Sequence, residues 1–158
     1  AKRNNATIIT TAEIANMVES KGCNAHSMNI GGKFNFEFGF VKVTQAIHSA
    51  GIEGGMACGF IINFYGKTIY FAGDTALFGD MELIGRLNTI DYALLPIGDN
   101  FTMGPEEALE AVKMITKVPA EILKINKGRL AKGFDADIIV FDDEISIKDV
   151  FVMGKKVK

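Results

Sequence analysis

The sequence contains no tryptophan, three prolines, two cysteines and two histidines among 158 residues. Cys23 and Cys58 form neither a disulfide framework nor a CxxC pair, so we expect reduced thiols and a cytoplasmic protein. No apolar run is long enough to span a bilayer, and the first residues lack a signal-peptide core. Two histidines also exclude a histidine-rich metal site in a single copy, because a catalytic zinc site needs about three protein ligands plus water.

Charge of one sign is not concentrated anywhere in the chain. The formal net charge is −2, and the short basic stretches at the two ends are typical of solvated termini. We therefore predict no nucleic-acid partner and no membrane partner. The hydrophobic fraction of 48% and the charged fraction of 23% indicate a globular protein with enough apolar material for a core.

The first part of the chain predicts a strand followed by a helix. Residues 6–9 are β-prone, and the apolar spacing that follows predicts a helix over Ala12–Ser20. We expect a capping box formed by Thr10 and Glu13 to start this helix and Gly22 to end it.

From residue 33 the pattern changes to the period of a β-strand. Four aromatic side chains should share one face of this strand and belong to the core: Phe34, Phe36, Phe38 and Phe40. A bend is expected near Gly39, and a hairpin around Gly66 predicts antiparallel pairing within a mixed sheet. The remaining predicted elements are a helix at 81–87, an apolar strand at 92–95 buried on both faces, helices at about 105–115 and 119–124, a strand at 138–141 and a terminal hairpin over 147–158.

Polar residues that suit metal chemistry follow two of the predicted strands. His48 and Asp74 each stand at a strand end, and imidazole nitrogen and carboxylate oxygen are ligands for zinc and similar ions. Two plainer interpretations stay open, because His48 could be a hydrogen-bonded structural histidine and Asp74 could cap a turn. Asp99 is expected to be a turn residue and His26 a surface or loop residue.

Six segments of residues 1–115 resemble the metal-dependent hydrolases of the metallo-β-lactamase superfamily. They are residues 26–32 (HSMNIGG), 46–49 (AIHS), 66–75 (GKTIYFAGDT), 80–85 (DMELIG), 93–98 (ALLPIG) and 101–107 (FTMGPEE). The resemblance implies a partial αββα layered fold with a mixed sheet and a site for zinc or another divalent metal. In that family the residue matching His48 is a metal ligand and the residue matching Asp74 bridges two metals. Thr75, Asp99 and His26 are candidates for supporting contacts around these ligands.

Two parts of the family pattern are missing. The family's His-x-His-x-Asp-His motif is absent, and so is the final histidine ligand expected after the helix that ends near Ile115. We therefore expect residues 1–115 to be a truncated segment that is catalytically incomplete on its own.

The end of the chain resembles a different family. Residues 119–125, 127–133 and 135–141 are similar to the non-catalytic tail of amidohydrolases such as N-acetylglucosamine-6-phosphate deacetylase or isoaspartyl dipeptidase. This likeness predicts a chimera in which a β-rich segment, residues 116–158, packs with residues 1–115 as one unit.

Two functions therefore compete. The chain is either a segment of a metal-dependent hydrolase or a chimeric folded protein without activity, held together as a homo-oligomer. A half-domain leaves strand edges and apolar faces bare, so we predict a twofold homodimer. Such a dimer could also bring two His48–Asp74 pairs together.

Overall fold

The structure is a computed structural model that describes residues 1–124, 132, 138–141, 147–152 and 155–157. After a short 3-10 turn at Lys2–Asn4, its strands are β1 (Thr7–Thr11), β2 (Asn24–Met28), β3 (Lys33–Phe36), β4 (Gly39–Gln45), β5 (Cys58–Phe64), β6 (Lys67–Phe71), β7 (Tyr92–Leu94), β8 (Ile138–Phe141), β9 (Ile147–Val152) and β10 (Lys155–Lys156). Its helices are α1 (Ala12–Ser20), α2 (Met81–Leu87), α3 (Pro105–Ile115) and α4 (Lys117–Leu123).

The chain begins with a β-α-β unit in which β1 and β2 pair in parallel. Helix α1 has the predicted bounds, and Gly22 follows it with φ of 75°, the left-handed conformation that ends helices without a Cβ penalty. The predicted capping box is wrong. Thr10 lies in β1, so Thr11 becomes the N-cap and Glu13 falls one position too early to close the box, and no side-chain cap hydrogen bond forms.

The central element is a mixed five-stranded sheet in the order β3-β4-β5-β6-β7. The first four strands form an antiparallel meander, and β7 joins β6 in parallel after the crossover through α2. The predicted hairpin around Gly66 is confirmed. Tyr65 and Gly66 both have positive φ, 47° and 83°, which matches the twist of the two strands that they connect.

Two apolar clusters hold four layers together. One cluster lies between the five-stranded sheet and α2 and α3, where Ile61, Tyr70, Met81 and Met103 are fully buried. Gly85 permits this close approach, since a Cβ there would lie 2.6 Å from the Ile115 Cα. The other cluster lies between the opposite sheet face and β1-β2 and contains Met28, Val41, Val43 and Ile9. With α1 packed on β1 and β2, the chain has the predicted αββα layering.

The predicted phenylalanine stripe is only partly correct. Phe34, Phe36 and Phe38 contact one another with ring centroids 4.8 and 5.2 Å apart, on the side that faces β1-β2. Phe40 lies on the opposite face, where it packs against the helical layer. The Lys33 ammonium lies over its ring, 3.9 Å from the ring centre. The period-two pattern breaks because residues 37–38 form the turn of the β3-β4 hairpin and do not belong to a strand.

The prediction that the strand at 92–95 is buried on both faces is wrong. Strand β7 ends at Leu94 and is the edge of its sheet, and all three of its residues are exposed. Burial on both faces requires layers and neighbouring strands on every side of the strand, and sequence pattern alone does not reveal whether they are present.

At the end of the chain, β8, β9 and β10 form an antiparallel three-stranded sheet. The predicted strand at 138–141 and the terminal hairpin are confirmed as backbone elements, while the predicted burial of 138–141 lies outside the described side chains. Helix α4 begins two residues earlier than predicted, at Lys117. No helix in the described ranges is long and apolar enough to cross a membrane.

Candidate metal-binding edge

Three strands end at the same edge of the five-stranded sheet. Strands β4 and β6 are each antiparallel to β5, so they run in the same direction, and β7 is parallel to β6. Their carboxyl ends therefore meet, and the loops that follow them carry His48, Asp74 and Asp99 respectively. Ligands commonly bind at the carboxyl ends of strands that share an edge in this way.

The three loops are joined to one another by hydrogen bonds. The Ala76 N–H donates to the Ile47 carbonyl at 3.1 Å, and the Ile47 N–H donates to the Thr75 hydroxyl at 2.9 Å. The Met103 N–H donates to the Thr75 carbonyl at 3.0 Å, which attaches the third loop. His48 follows Ile47 directly and Asp74 precedes Thr75 directly, so these bonds fix the backbone on which both metal-ligand candidates are carried.

The His48 ring is exposed and turned back onto its own loop. Its Nδ1 lies 2.9 Å from the Ser49 carbonyl oxygen. A carbonyl only accepts, so Nδ1 carries the proton in this contact and Nε2 of the neutral ring is left as the acceptor. Metal-binding histidines are commonly oriented by a donation of this kind from the second nitrogen, so the tautomer suits a metal ligand.

The Asp74 carboxylate is also exposed, and the backbone before it is tightly constrained. Gly73 has φ of 67°, and a Cβ on it would lie 2.8 Å from the Cys58 carbonyl oxygen, so the chain passes too close to β5 for a side chain at this position. Among the described residues the Asp74 carboxylate accepts no hydrogen bond, so the turn-capping interpretation gains no support there.

Asp99 lies in a tight turn, as expected from its sequence. It has φ of 60°, its N–H donates to the Met103 carbonyl at 3.1 Å, and its carbonyl accepts from Thr102 at 3.1 Å. The Gly98 N–H donates to the Thr102 hydroxyl at 3.0 Å and closes the same turn. These backbone contacts fix Asp99 in the loop after β7, which the Met103 N–H attaches to the loop of Asp74, and the Asp99 carboxylate lies beside Gly104.

His26 is not part of this group of loops. A surface or loop position was expected for it, but it lies half-buried in the middle of β2, and its ring packs 4.3 Å from that of Phe34 and 5.1 Å from that of Phe36. Those aromatic rings belong to β3, at the opposite edge of the sheet from β7. The structure therefore joins the loops that carry His48, Asp74, Thr75 and Asp99, and leaves His26 apart from them.

The sequence did not predict which residues connect the loops at this edge of the sheet. Ile47 and Met103 contribute N–H groups to Thr75, and Gln45 donates to the Asp80 carboxylate at 3.2 Å across the same end of the sheet. No local sequence signal marks these pairings, because the residues that they join are 28 or more positions apart along the chain.

A metal centre of the kind that the resemblance implies is not completed by these donors. His48 Nε2 and the Asp74 carboxylate are suitable ligands, but the described residues contain no group of three or more histidine, cysteine, aspartate or glutamate side chains arranged to hold a metal ion. Since a catalytic zinc needs about three protein ligands, the donors found here fit one side of a metal site and not a whole one.

Two curated relatives are metal-dependent hydrolases. The UPF0173 metal-dependent hydrolase of Natranaerobius thermophilus is 48% identical over 150 residues, which cover 95% of this chain and 64% of the relative. The UPF0173 metal-dependent hydrolase of Desulforamulus reducens is 57% identical over 123 residues, which cover 73% of this chain and 54% of the relative. The chain thus spans a little over half the length of these relatives.

The comparisons do not support the predicted amidohydrolase tail. The alignment with the Natranaerobius thermophilus protein covers 95% of the chain and so includes most of residues 116–158. The amidohydrolase likeness and the chimera that it implies therefore stay predictions.

Solved structures agree with the layering. Igni18, a metallo hydrolase from Ignicoccus hospitalis, superposes with a TM-score of 0.67 at 37% identity, over 72% of this chain and 50% of that chain. An isothiocyanate hydrolase from Delia radicum gut bacteria superposes with a TM-score of 0.54 at 22% identity, over 70% of this chain and 49% of that chain, which supports the fold alone. Residues 1–123 match the Beta-lactamase superfamily domain. The chain therefore belongs to the β-lactamase superfamily, in which its curated relatives are metal-dependent hydrolases.

Proposed function

We propose that this chain is one side of the metal site of a metal-dependent hydrolase and is catalytically incomplete as an isolated chain. The observation that carries the proposal is the meeting of three strand ends at one sheet edge, where hydrogen-bonded loops present His48, Asp74 and Asp99. A divalent metal such as zinc, when bound, would polarise a substrate and activate a water molecule.

The chain's own residues would supply and orient some of the metal ligands, but they do not supply the full set that turnover requires. The Ser49 carbonyl keeps the proton of His48 on Nδ1, which leaves Nε2 for a metal, and the Asp74 carboxylate offers two oxygen atoms. Further ligands must come from outside this set for turnover to occur. The proposal does not depend on the origin of residues 116–158, which the amidohydrolase likeness assigns to a separate parent.

The test uses the two histidines as a matched pair. Cobalt(II) or zinc is titrated into the intact protein while the imidazole NMR signals are followed, and each histidine gives a separate signal. We expect the His48 signal to respond and the His26 signal to stay in place, because His26 lies against Phe34 away from the loops. His48→Ala should weaken metal binding by about tenfold or more, and His26→Ala should leave it unchanged.

Two results would overturn the proposal in different ways. A His48 signal that does not respond, or responds no more than His26, removes the metal-site interpretation. Hydrolysis of an ester, phosphodiester or lactam that is lost with a chelator and in His48→Ala would overturn the catalytic incompleteness.

We further propose that the chain forms a homodimer. The observation that favours this is the exposed apolar face of β6 and β7, on which Phe71, Tyr92 and Leu94 are 43%, 49% and 56% exposed. Contiguous apolar surface of this kind is typical of an interaction surface in a stable protein. The dimer also accommodates the alternative function, an assembled protein without enzymatic activity.

A further inference from the structure

We propose that Thr75 is the positioning residue that sets the separation between His48 and Asp74. This inference rests on the proposed function, in which these two side chains are metal donors. Thr75 is fully buried in the loop after β6, between the exposed Asp74 and the exposed Ala76. The buried polar residues of the described part of the chain are four threonines, so the contacts of Thr75 can be compared with those of the other three: Thr10, Thr11 and Thr44.

The Thr75 hydroxyl differs from two of these buried hydroxyls in having partners on both sides. It accepts from the Ile47 N–H at 2.9 Å and donates to the Ala76 carbonyl at 2.8 Å. The hydroxyls of Thr11 and Thr44 are buried and have no hydrogen-bond partner among the described residues. A buried hydroxyl that is fully used holds its surroundings in one arrangement, whereas an unused one contributes only its volume.

The sheet itself cannot supply this connection. Strand β5 lies between β4 and β6, so no ladder bond joins the ends of the strands that lead to His48 and Asp74. The link is made instead by the Thr75 hydroxyl and by the Ala76 N–H donating to the Ile47 carbonyl. Both candidate ligands are one residue away from these bonds, so a displacement of Thr75 moves the two donors relative to each other.

The same residue also attaches the third loop. Its carbonyl accepts from the Met103 N–H at 3.0 Å, and the Met103 carbonyl accepts from the Asp99 N–H at 3.1 Å. Met103 is fully buried, so its packing in the core holds this end of the loop in place. Thr75 therefore holds three loops through one side chain and one carbonyl, and the position of Asp99 depends on it as well.

The test compares Thr75→Val with Thr11→Val in the full chain. Both substitutions replace a buried hydroxyl by a methyl group of similar size, but only the first leaves an N–H, that of Ile47, without its acceptor. We expect the Ile47 amide to exchange with solvent about tenfold faster or more in Thr75→Val, and at the wild-type rate in Thr11→Val. Thr75→Ser, which keeps the hydroxyl, should restore the slow exchange.

A readout at the ligands separates positioning from a general loss of structure. In the cobalt titration, Thr75→Val should weaken the response of His48 by about tenfold while the His26 signal and the amides of β1 stay as in the wild type. If Thr75→Val does not fold, Thr75→Ala removes the same hydroxyl without adding volume and takes its place. Unchanged Ile47 exchange, or unchanged His48 affinity in spite of faster exchange, overturns the inference. A wild-type protein whose His48 does not bind metal overturns the proposed function, and the exchange of Ile47 then decides by itself whether Thr75 joins the loops.

Discussion

Tyr70 is fully buried between the five-stranded sheet and the helices, and its hydroxyl has no hydrogen-bond partner within the described residues. Removal from water disfavours the phenolate and raises the pKa of Tyr70 to about 12, and the nearby Thr44 hydroxyl lowers it slightly without completing a hydrogen bond. The tyrosine therefore behaves as an aromatic core residue with an unused polar atom.

This burial predicts a loss of stability at alkaline pH. In the unfolded chain Tyr70 ionises near its ordinary pKa of 10, whereas in the folded protein it stays protonated until about 12. Between these values the folded state binds more protons, so the free energy of unfolding falls as the pH rises. The expected loss is on the order of 3 kcal/mol. Urea unfolding of the wild type at a series of pH values from neutral to alkaline measures it.

Tyr70→Phe is the control for that alkaline loss. It removes the phenol and should flatten the alkaline part of the curve, with little change at neutral pH because no hydrogen bond is lost. A Tyr70→Phe curve that falls as steeply as the wild type would assign the alkaline loss to other groups.

The sequence predicted some residues of the candidate site and not the contacts between them. The positions of His48 and Asp74 at strand ends follow from the alternation of apolar residues, and the structure places both at one sheet edge. The family resemblance named Thr75 as a candidate for supporting contacts, but its partners Ile47 and Met103 could not be predicted, because they come from other loops and contribute only backbone groups. Backbone pairing between loops depends on the sheet order, which local pattern does not encode.

At the scale of elements, Asp91 fastens the short edge strand β7 to β6. Its carboxylate accepts from Lys67 Nζ at 2.7 Å and from the Thr68 N–H at 2.8 Å, and its own N–H donates to the Thr68 carbonyl at 2.8 Å. Burial alone would raise the pKa of the Asp91 carboxyl, but the hydrogen bonds from Lys67 and Thr68, with the charge of Lys67, outweigh that effect and lower it.

Asp91→Ala should therefore loosen β7 more than it destabilises the whole protein. We expect a loss of roughly 1 kcal/mol, since the ion pair is partly exposed and screened, together with faster exchange of the Ala72 amide that donates to Leu94. Because the pKa of Asp91 is lowered in the folded state, its contribution is present at neutral pH and is lost as the pH falls below about 4. Hydrogen exchange and acid unfolding measure the two effects.

Asp91→Asn is the matched control for the contacts of Asp91 with Lys67 and Thr68. It keeps an oxygen that can accept from the Thr68 N–H but removes the charge that pairs with Lys67. It should retain slow exchange at Ala72 and lose the acid dependence. Equal exchange at Ala72 in the alanine variant and the wild type would show that β7 is held by its ladder bonds alone.

Elements with a strong local period were predictable, and those that depend on neighbours were not. Helices α1, α2 and α3 have the bounds expected from apolar spacing and from Gly22 and Pro105. The exposure of β7 was missed because an apolar strand looks the same in the sequence whether or not a further strand or layer covers it. The reversal of Phe40 was missed because the bend predicted near Gly39 lies at residues 37–38, and an alternating series of phenylalanines does not mark that turn.

At the scale of the whole molecule, the described residues cover only half of one sheet face. Residues opposite each other in register share a face, and the pairs Ile69 with Tyr92 and Phe71 with Leu94 lie on the face that β1-β2 covers at Val41 and Val43. Within the described part of the chain, the β1-β2 layer has two strands, so it shields the β4 side and leaves Phe71, Tyr92 and Leu94 on the β7 side exposed.

A twofold dimer would cover this face and shield the edge of β7. We expect light scattering at micromolar concentration to give a mass near twice 17.1 kDa for the wild type. Leu94→Lys should give a monomer with a mass near 17.1 kDa, because an unpaired charge in an apolar interface opposes association. The same change should alter the stability of the folded monomer by less than about 0.5 kcal/mol, since the Leu94 side chain is already 56% exposed.

Leu109→Lys is the matched control for the dimer, because Leu109 is 57% exposed on α3, in the helical layer on the other side of the sheet. It places the same charge on an equally exposed leucine and should leave the mass of the dimer unchanged. If both variants dissociate, association occurs through surface hydrophobicity in general and not through the face of β7. A wild type that is already a monomer at these concentrations would mean that the bare face is not closed by a second copy of the chain.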